Sequence, residues 1–175
     1  MIKIDHDIKK LYLSWDAIDA SMANIAMDVI QGKPLENTIL VPIIRGGLIP
    51  ATLLSHVLSY KIKMDIPVIP IHAGKQGYDK LLELAAEGHR IILIDDILDT
   101  GETLRYLNTS GVVDTNIVII KKEVEGVEVI YALNYEELIG SNDQQYWVVF
   151  PWETNPEPDR PLKENIDEVL KENNS

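Results

Sequence analysis

The chain has 175 residues, of which 46% are hydrophobic and 25% charged, and its formal net charge is −12. This length suits one domain with a substantial core, and no apolar run approaches the roughly 20 residues of a membrane-spanning helix. The negative charge opposes binding to nucleic acid, and the absence of cysteine excludes disulfides and thiolate metal sites. The first ten residues mix charges without a signal-peptide pattern, so we expect a cytoplasmic protein with no membrane segment.

The first helix is predicted over SWDAIDASMANIAMDVIQG, residues 14–32. Ser14 is a favourable N-cap and Gly32 a favourable end, and apolar residues recur between them at the spacing of an amphipathic helix. These positions are Trp15, Ile18, Met22, Ile25, Ala26 and Ile30. The pattern indicates a scaffold helix that packs one face against the core.

Two apolar segments follow this helix. TILVPII (38–44) is continuously apolar, which is typical of a strand buried on both faces, and RGGLIPATLLSHVLSY (45–60) predicts a loop and then a helix. IPVIPIH (66–72) is a second strand candidate. Pro67 and Pro70 favour an edge or irregular position for it, because proline has no N–H to donate to a sheet.

The rest of the chain alternates helix and strand patterns. AGKQGYDKLLELAAEGH (73–89) predicts a loop and then a helix from about residue 79 to residue 86, and RIILIDD (90–96) predicts the strongest central strand. Further predicted elements are a helix near 102–109 and the strands TNIVIIKK (115–122) and VEVIYAL (127–133). The alternation predicts an α/β fold with a doubly wound, mostly parallel sheet flanked by helices.

The stretch IILIDDILDTGETL, residues 91–104, places three acids around the end of the central strand. Ligands of doubly wound sheets lie beyond the carboxyl ends of the strands, where Asp95 and Asp96 fall, and adjacent strand residues point to opposite faces. The next turn offers backbone amides and two hydroxyls to an anion such as phosphate. Its residues are Thr100, Gly101, Glu102 and Thr103.

Carboxylates beside a phosphate repel it unless something neutralises or separates the charges. Ribose hydroxyls and Mg²⁺ do both, so the combination predicts a sugar phosphate whose leaving group binds a metal. In this arrangement Asp95 and Asp96 lie near the ribose diol, and Asp99 is available for proton transfer.

Three other interpretations of acids at a strand end are possible. A capped strand-to-helix turn without a ligand is the competing interpretation of Asp95, Asp96 and Asp99, which the full motif disfavours. A phosphoacceptor receiver domain does not predict a Thr-Gly turn at this spacing. A nucleotide triphosphatase would need a GxxxxGK[ST] loop, and IRGGLIPAT (44–52) is not one.

IILIDDILDTGETL resembles the signature of the type I phosphoribosyltransferases, which join a nitrogenous base to the ribose 5-phosphate of phosphoribosyl pyrophosphate (PRPP). The resemblance implies that residues 100–103 bind the 5-phosphate. It also implies that Asp95 and Asp96 bind the ribose diol and Mg²⁺, the metal through water or ribose hydroxyls. Asp99 would contact PRPP and act as the catalytic acceptor of a purine N7 proton.

VPIIRGGLIPATLL (41–54) resembles the family's first loop, which binds pyrophosphate. Arg45, Gly46 and Gly47 match this turn, and the resemblance implies a strained or cis peptide near Arg45 and Gly46. HAGKQGYDK (72–80) lacks an obvious copy of the family's flexible-loop Ser-Tyr motif, which leaves Lys75 and Tyr78 as the expected pyrophosphate contacts there.

YWVVFPWE (146–153) resembles the base-binding hood of the bacterial xanthine-guanine phosphoribosyltransferases, as SWDAIDASMANIAMDVI resembles their opening helix. The resemblance implies that Trp147 stacks on the purine and that the backbone of Val148 contacts its edge. Lys121 matches the lysine that donates to the purine 6-oxygen, with Lys122 as the alternative. Core packing of Trp147 is the competing interpretation.

Together these features predict a Mg²⁺-dependent transferase that acts on PRPP and a 6-oxopurine, namely guanine, xanthine or hypoxanthine, in purine salvage. The alternatives are an enzyme for another base and a PRPP- or nucleotide-binding regulator without turnover. The resemblance implies a homodimer or homotetramer. We expect residues 1–155 to form the transferase domain with its small C-terminal hood, and residues 156–175 to form an acidic tail or helix.

Overall fold

A computed structural model describes residues 2–6, 9–140 and 145–153 of the chain. The chain divides into two compact units, Trp15–Gln144 and a smaller unit formed by Met1–Ser14 with Gln145–Ser175. The elements in chain order are β1 (Ile2–Asp5), β2 (Lys10–Leu13), α1 (Trp15–Gly32), β3 (Thr38–Pro42), α2 (Leu48–Ile62), α3 (Lys75–Ala86), β4 (Arg90–Leu98), α4 (Glu102–Asn108), β5 (Val113–Lys121), β6 (Ile130–Asn134), α5 (Tyr135–Ile139) and β7 (Trp147–Val149).

The larger unit is built on a parallel sheet with the strand order β3-β4-β5-β6. Every residue of β3 is buried, because helices cover both faces of the sheet. On one face, Ile39, Val41 and Leu93 belong to a core cluster with apolar residues of α3 and α4. The alternate residues, such as Leu40 and Ile92, are buried on the opposite face, where α1 and α2 pack. The predicted doubly wound α/β fold is confirmed.

Two segments of this unit test predictions made from the sequence, and one of them differs from its prediction. Helix α3 begins at Lys75, about four residues before the predicted start, so the prediction of a loop over the glycine-containing segment was wrong. The segment 66–72 is irregular, as its prolines suggested, and it runs beside β3 through two isolated bridges, Leu40 with Val68 and Ile43 with Ile71. Ile69 and Ile71 donate their N–H groups to the carbonyls of Leu40 and Pro42, whereas Pro67 and Pro70 have no N–H to donate.

The smaller unit contains a three-stranded sheet with the order β1-β2-β7. Strands β1 and β2 pair antiparallel, and β2 pairs with β7 in parallel. Leu11, Leu13 and Phe150 are buried there, and the Phe150 ring stacks on Trp152 with the centroids 4.8 Å apart. The sequence patterns had predicted neither β1 nor β2. The acidic segment 156–175 lies outside the described residues.

No helix in the described part of the chain is both long enough and apolar enough to span a bilayer.

Candidate active site

The carboxyl end of β4 carries the paired acids Asp95 and Asp96. The Asp95 carboxylate accepts a hydrogen bond from the Asp96 backbone N–H at 3.0 Å. Burial, and secondarily the charge of Asp96, raises the pKa of Asp95 to about 7. When both carboxylates are ionised they repel each other, and a cation or hydroxyl donors at this place would relieve that repulsion.

The loop after β3 lies directly against the end of β4. A Cβ atom added to Gly47 would lie 2.1 Å from the Ile94 carbonyl oxygen, and one added to Gly46 would lie 2.6 Å from the Asp96 carboxylate. The peptide between Ile44 and Arg45 is cis, as the family resemblance implied. The absence of side chains at both glycines therefore lets the predicted pyrophosphate loop touch the predicted ribose site.

The turn after β4 forms a small cleft of about 80 Å³. Its lining brings together six predicted site residues, which are Asp95, Asp99, Thr100, Gly101, Glu102 and Thr103. Gly101 precedes α4 with φ of 77°, a conformation that favours glycine. The Glu102 backbone N–H donates weakly to the Thr100 hydroxyl at 3.4 Å. The cleft thus has the backbone and hydroxyl donors that an anion needs.

The two candidate lysines, at the end of β5 and directly after it, make different contacts. The Lys122 ammonium donates to the Asp99 carboxylate at 2.5 Å and lies 4.8 Å from the centroid of the Tyr135 ring. The Lys121 ammonium instead lies over the Tyr131 ring, 5.1 Å from its centroid. Lys122, the alternative of the two, is therefore the lysine beside the predicted catalytic acid.

The expected contacts from residues 72–80 are not gathered at this cleft. Within residues 9–140, the cleft lining does not include Lys75, whose ammonium pairs with Asp79 at 2.6 Å on the first turns of α3. The Tyr78 ring packs near the Tyr106 ring, with 5.7 Å between centroids. Their role at pyrophosphate stays a prediction.

The predicted base-binding residues of the smaller unit form part of β7. Trp147 is 71% exposed, which is unusual for a tryptophan and argues against its packing in a core. Val148 is buried, and the Trp147 backbone N–H donates to the Lys9 carbonyl at 2.9 Å. The neighbouring strand thus fixes the backbone of Trp147 and leaves its ring available.

Sequence reasoning missed two residues that hold the site together. Arg105 of α4 donates to the carbonyls of Thr100 and Glu125, both at 2.9 Å. Glu136 of α5 accepts from the Glu123 backbone N–H at 2.9 Å. Neither residue lies in a recognisable motif. The one sequence signal for Arg105 was its position about one turn into the helix that follows the Thr-Gly turn.

The acids of the site suit one kind of metal ion. Among the described residues, no group of three or more His, Cys, Asp or Glu side chains is arranged to hold a metal. Asp95 and Asp96 supply two adjacent carboxylates at the end of β4, and carboxylate oxygens are hard donors. This set fits Mg²⁺, which takes one or two protein carboxylates and completes its shell with water and ligand oxygens.

Comparisons with known proteins agree with this geometry. Residues 10–154 match the model of the phosphoribosyl transferase domain. A xanthine-guanine phosphoribosyltransferase of Idiomarina loihiensis is 22% identical over 85% of this chain and 89% of its own length. A hypoxanthine-guanine phosphoribosyltransferase of Streptococcus thermophilus is 31% identical over 59% of this chain and 61% of its own.

Among solved structures, a hypothetical protein from Neisseria gonorrhoeae with bound ppGpp superposes with a TM-score of 0.63 at 17% identity, over 98% of this chain and 100% of that one. At such identity the likeness concerns the fold, and the family rests on the domain match, which spans most of the chain. The chain therefore belongs to the phosphoribosyl transferase family, as a PRPP-dependent type I enzyme similar to the bacterial xanthine-guanine phosphoribosyltransferases.

Proposed function

We propose that this enzyme transfers ribose 5-phosphate from PRPP to a 6-oxopurine, giving a nucleoside monophosphate and pyrophosphate in purine salvage. The observation that carries the proposal is the contact between Lys122 and Asp99 at the edge of the Thr-Gly turn. A 6-oxopurine presents its N7 and its 6-oxygen side by side on one edge. An adjacent carboxylate and ammonium match that edge, the first as acceptor of the N7 proton and the second as donor to the 6-oxygen.

The PRPP molecule is assigned to the surrounding loops. Residues 100–103 bind the 5-phosphate with backbone amides and hydroxyls, and Asp95 and Asp96 face the ribose diol. Arg45, Gly46 and Gly47 bind pyrophosphate, with Lys75 as a further contact. The support for this division is the close approach of the first loop to β4, since Gly46 lies directly against the Asp96 carboxylate.

Members of the family use Mg²⁺ with PRPP, and Asp95 and Asp96 are the residues that would hold it here, through water or ribose hydroxyls. When bound, the metal neutralises charge on the departing pyrophosphate. The residues of the chain then orient the substrates. Asp99 accepts the base proton, Lys122 donates to the 6-oxygen in the role first expected of Lys121, and Trp147 with the backbone of Val148 contacts the base.

The decisive experiment incubates the enzyme with PRPP, Mg²⁺ and each of a panel of bases, and records pyrophosphate release. We expect release with guanine, xanthine or hypoxanthine, and none with adenine, whose 6-amino group cannot accept from Lys122. Release only with a pyrimidine would move the enzyme to the alternative substrate class. PRPP binding without release for any base would instead indicate a regulator.

We also propose that the enzyme works in the cytoplasm as a homodimer or homotetramer. The support is the habit of the family it belongs to, together with a cysteine-free composition. Sedimentation velocity at several protein concentrations tests the assembly, and a single monomeric species throughout would refute it.

A further inference from the structure

Arg105 connects two segments of the active site that are distant in the sequence. Its guanidinium donates through Nη1 to the Thr100 carbonyl and through Nη2 to the Glu125 carbonyl, each at 2.9 Å. The first carbonyl belongs to the Thr-Gly turn, and the second belongs to the β5–β6 loop, residues 122–129. Arginine suits this position because its planar fork can serve two acceptors at once.

The bond to Thr100 determines which way the next amide points. In a trans peptide the C=O and N–H groups point in opposite directions, so a Thr100 carbonyl that faces Arg105 turns the Gly101 N–H away from the guanidinium. A Cβ added to Gly101 would lie 2.8 Å from Val124 Cγ1 and 3.3 Å from Arg105 Cζ. Arg105 and the β5–β6 loop therefore press on the same side of the turn.

The β5–β6 loop carries the base end of the site. It begins with Lys122, which contacts Asp99, and its Glu123 N–H is held by the Glu136 carboxylate. Since Arg105 binds the same loop at Glu125, one side chain links the predicted phosphate turn to the segment that carries the predicted base contact.

We propose that Arg105 is a positioning residue for PRPP: it clamps the Thr-Gly turn to the β5–β6 loop and so presents the turn's amides to the 5-phosphate. Arg105 itself touches backbone carbonyls and not the reacting atoms. The identity of the ligand rests on the proposed function, whereas the clamp rests on the geometry of Arg105.

The test compares Arg105→Gln and Arg105→Lys with the wild-type enzyme. Lys61→Gln is the matched control, because it removes one positive charge from an exposed position in the last turn of α2. We expect Arg105→Gln to raise the KM for PRPP about tenfold, with kcat and the KM for the base each changed by less than about threefold. Arg105→Lys should lie between, since an ammonium does not reproduce the fork.

A second readout follows the clamp without any substrate. Hydrogen–deuterium exchange of residues 99–104 and 122–129 should speed up in Arg105→Gln and stay at the wild-type rate in Lys61→Gln. If both the KM for PRPP and the exchange rates of Arg105→Gln equal those of the control, the proposed role of Arg105 is wrong. The proposed function still stands in that case, provided that the wild-type enzyme turns over.

The two proposals can fail separately. If the wild-type protein releases no pyrophosphate with any base, the proposed function fails. The role of Arg105 is then tested by calorimetric measurement of PRPP affinity. A tenfold loss of affinity in Arg105→Gln supports the role, and equal affinities or no binding at all overturn it. If Arg105→Gln does not fold, Arg105→Lys decides by the same two measurements, and wild-type values in both would overturn the clamp.

Discussion

Asp99 differs in environment from the two acids that precede it. Its side chain is 60% exposed and pairs with Lys122, whereas Asp95 is half-buried beside Asp96. An exposed carboxylate can exchange its ammonium partner for a substrate edge. The same exchange costs more free energy for a pair of carboxylates that is partly buried. Asp99 is thus the acid best placed for proton transfer, and Asp95 and Asp96 are better placed to face hydroxyls and metal.

Asp99→Asn should lower kcat by about 100-fold or more, because an amide cannot accept the N7 proton, while the affinity for PRPP changes by less than about fivefold. Steady-state kinetics and calorimetry measure the two quantities. Asp19→Asn, which alters an exposed acid of α1, should leave both unchanged. Turnover close to the wild-type rate in Asp99→Asn would remove the residue from its proposed role.

Lys121, the last residue of β5, and Lys122, which follows it, provide an internal comparison. Lys122→Gln should lower kcat/KM for the purine about 10- to 100-fold, because both the donor to the 6-oxygen and the partner of Asp99 are lost. Lys121→Gln also removes one positive charge, but from a side chain that lies over the Tyr131 ring, and it should lower kcat/KM by less. The opposite ranking would return the base contact to Lys121.

For individual residues, the sequence was informative where one contiguous stretch contains the predicted site residues. The acids and the Thr-Gly turn lie within residues 91–104, so their spacing alone predicted the cleft. Lys122 and Arg105 were harder to place because their contacts depend on the register between β4 and β5 and on the path of the β5–β6 loop. No local pattern encodes either quantity.

Among the elements, the loop after β3 and the strand β4 meet at a junction with very little spare room. The Ile43 N–H donates to the Ile94 carbonyl at 2.8 Å, and Gly47 packs against the same oxygen. The predicted pyrophosphate loop and the acidic strand end are therefore positioned by each other and not only by their own helices.

Gly47→Ala should destabilise the fold by about 1 to 3 kcal/mol, since a methyl group 2.1 Å from a backbone oxygen forces the two elements apart. Thermal unfolding measures this loss, and we expect activity to fall with it. Gly32→Ala is the control, because among the described atoms none lies within 4 Å of an added Cβ there. Equal melting temperatures for the two variants would contradict the packing argument.

Element boundaries were predictable where the pattern was local. The apolar runs of β3 and β4 identified buried strands, but Gly77 made residues 73–78 look like a loop. In the structure a Cβ at Gly77 would lie 2.0 Å from the His72 carbonyl, so this glycine serves a tertiary contact within a helix. Strand β2 escaped prediction because its four residues pair with β7, near the other end of the chain.

For the molecule as a whole, an ion network lies at the amino end of the sheet, opposite the edge where the site is built. Asp114 of β5 accepts from Lys33, which follows α1, and from Arg90 at the start of β4. Burial alone would raise the pKa of Asp114, but hydrogen bonds from Lys33, Arg90 and Thr115 outweigh it and lower the pKa to about 2. This network joins one helix and two strands.

Asp114→Asn should lower stability at neutral pH by up to about 1 kcal/mol, because solvent screens the charges of an exposed ion network. A folded-state pKa below the ordinary 3.8 means that the contribution is complete above about pH 4 and disappears as the pH falls towards 2. Urea unfolding at pH 7 and pH 3 measures the difference between variant and wild type, which should shrink at the lower pH. Exposed Asp65→Asn should show no such dependence, and a pH-independent loss in Asp114→Asn would argue against the network.

The three-stranded sheet of the smaller unit also dictates an order of events during synthesis. The ribosome delivers the β1–β2 hairpin first, but β7, the parallel partner of β2, emerges only after every strand of the four-stranded sheet. Until then β2 exposes an unpaired edge, which newly made chains can use for wrong partners. A nascent chain halted before residue 147 should therefore be able to complete the four-stranded sheet while its hairpin still lacks the strand that carries Trp147.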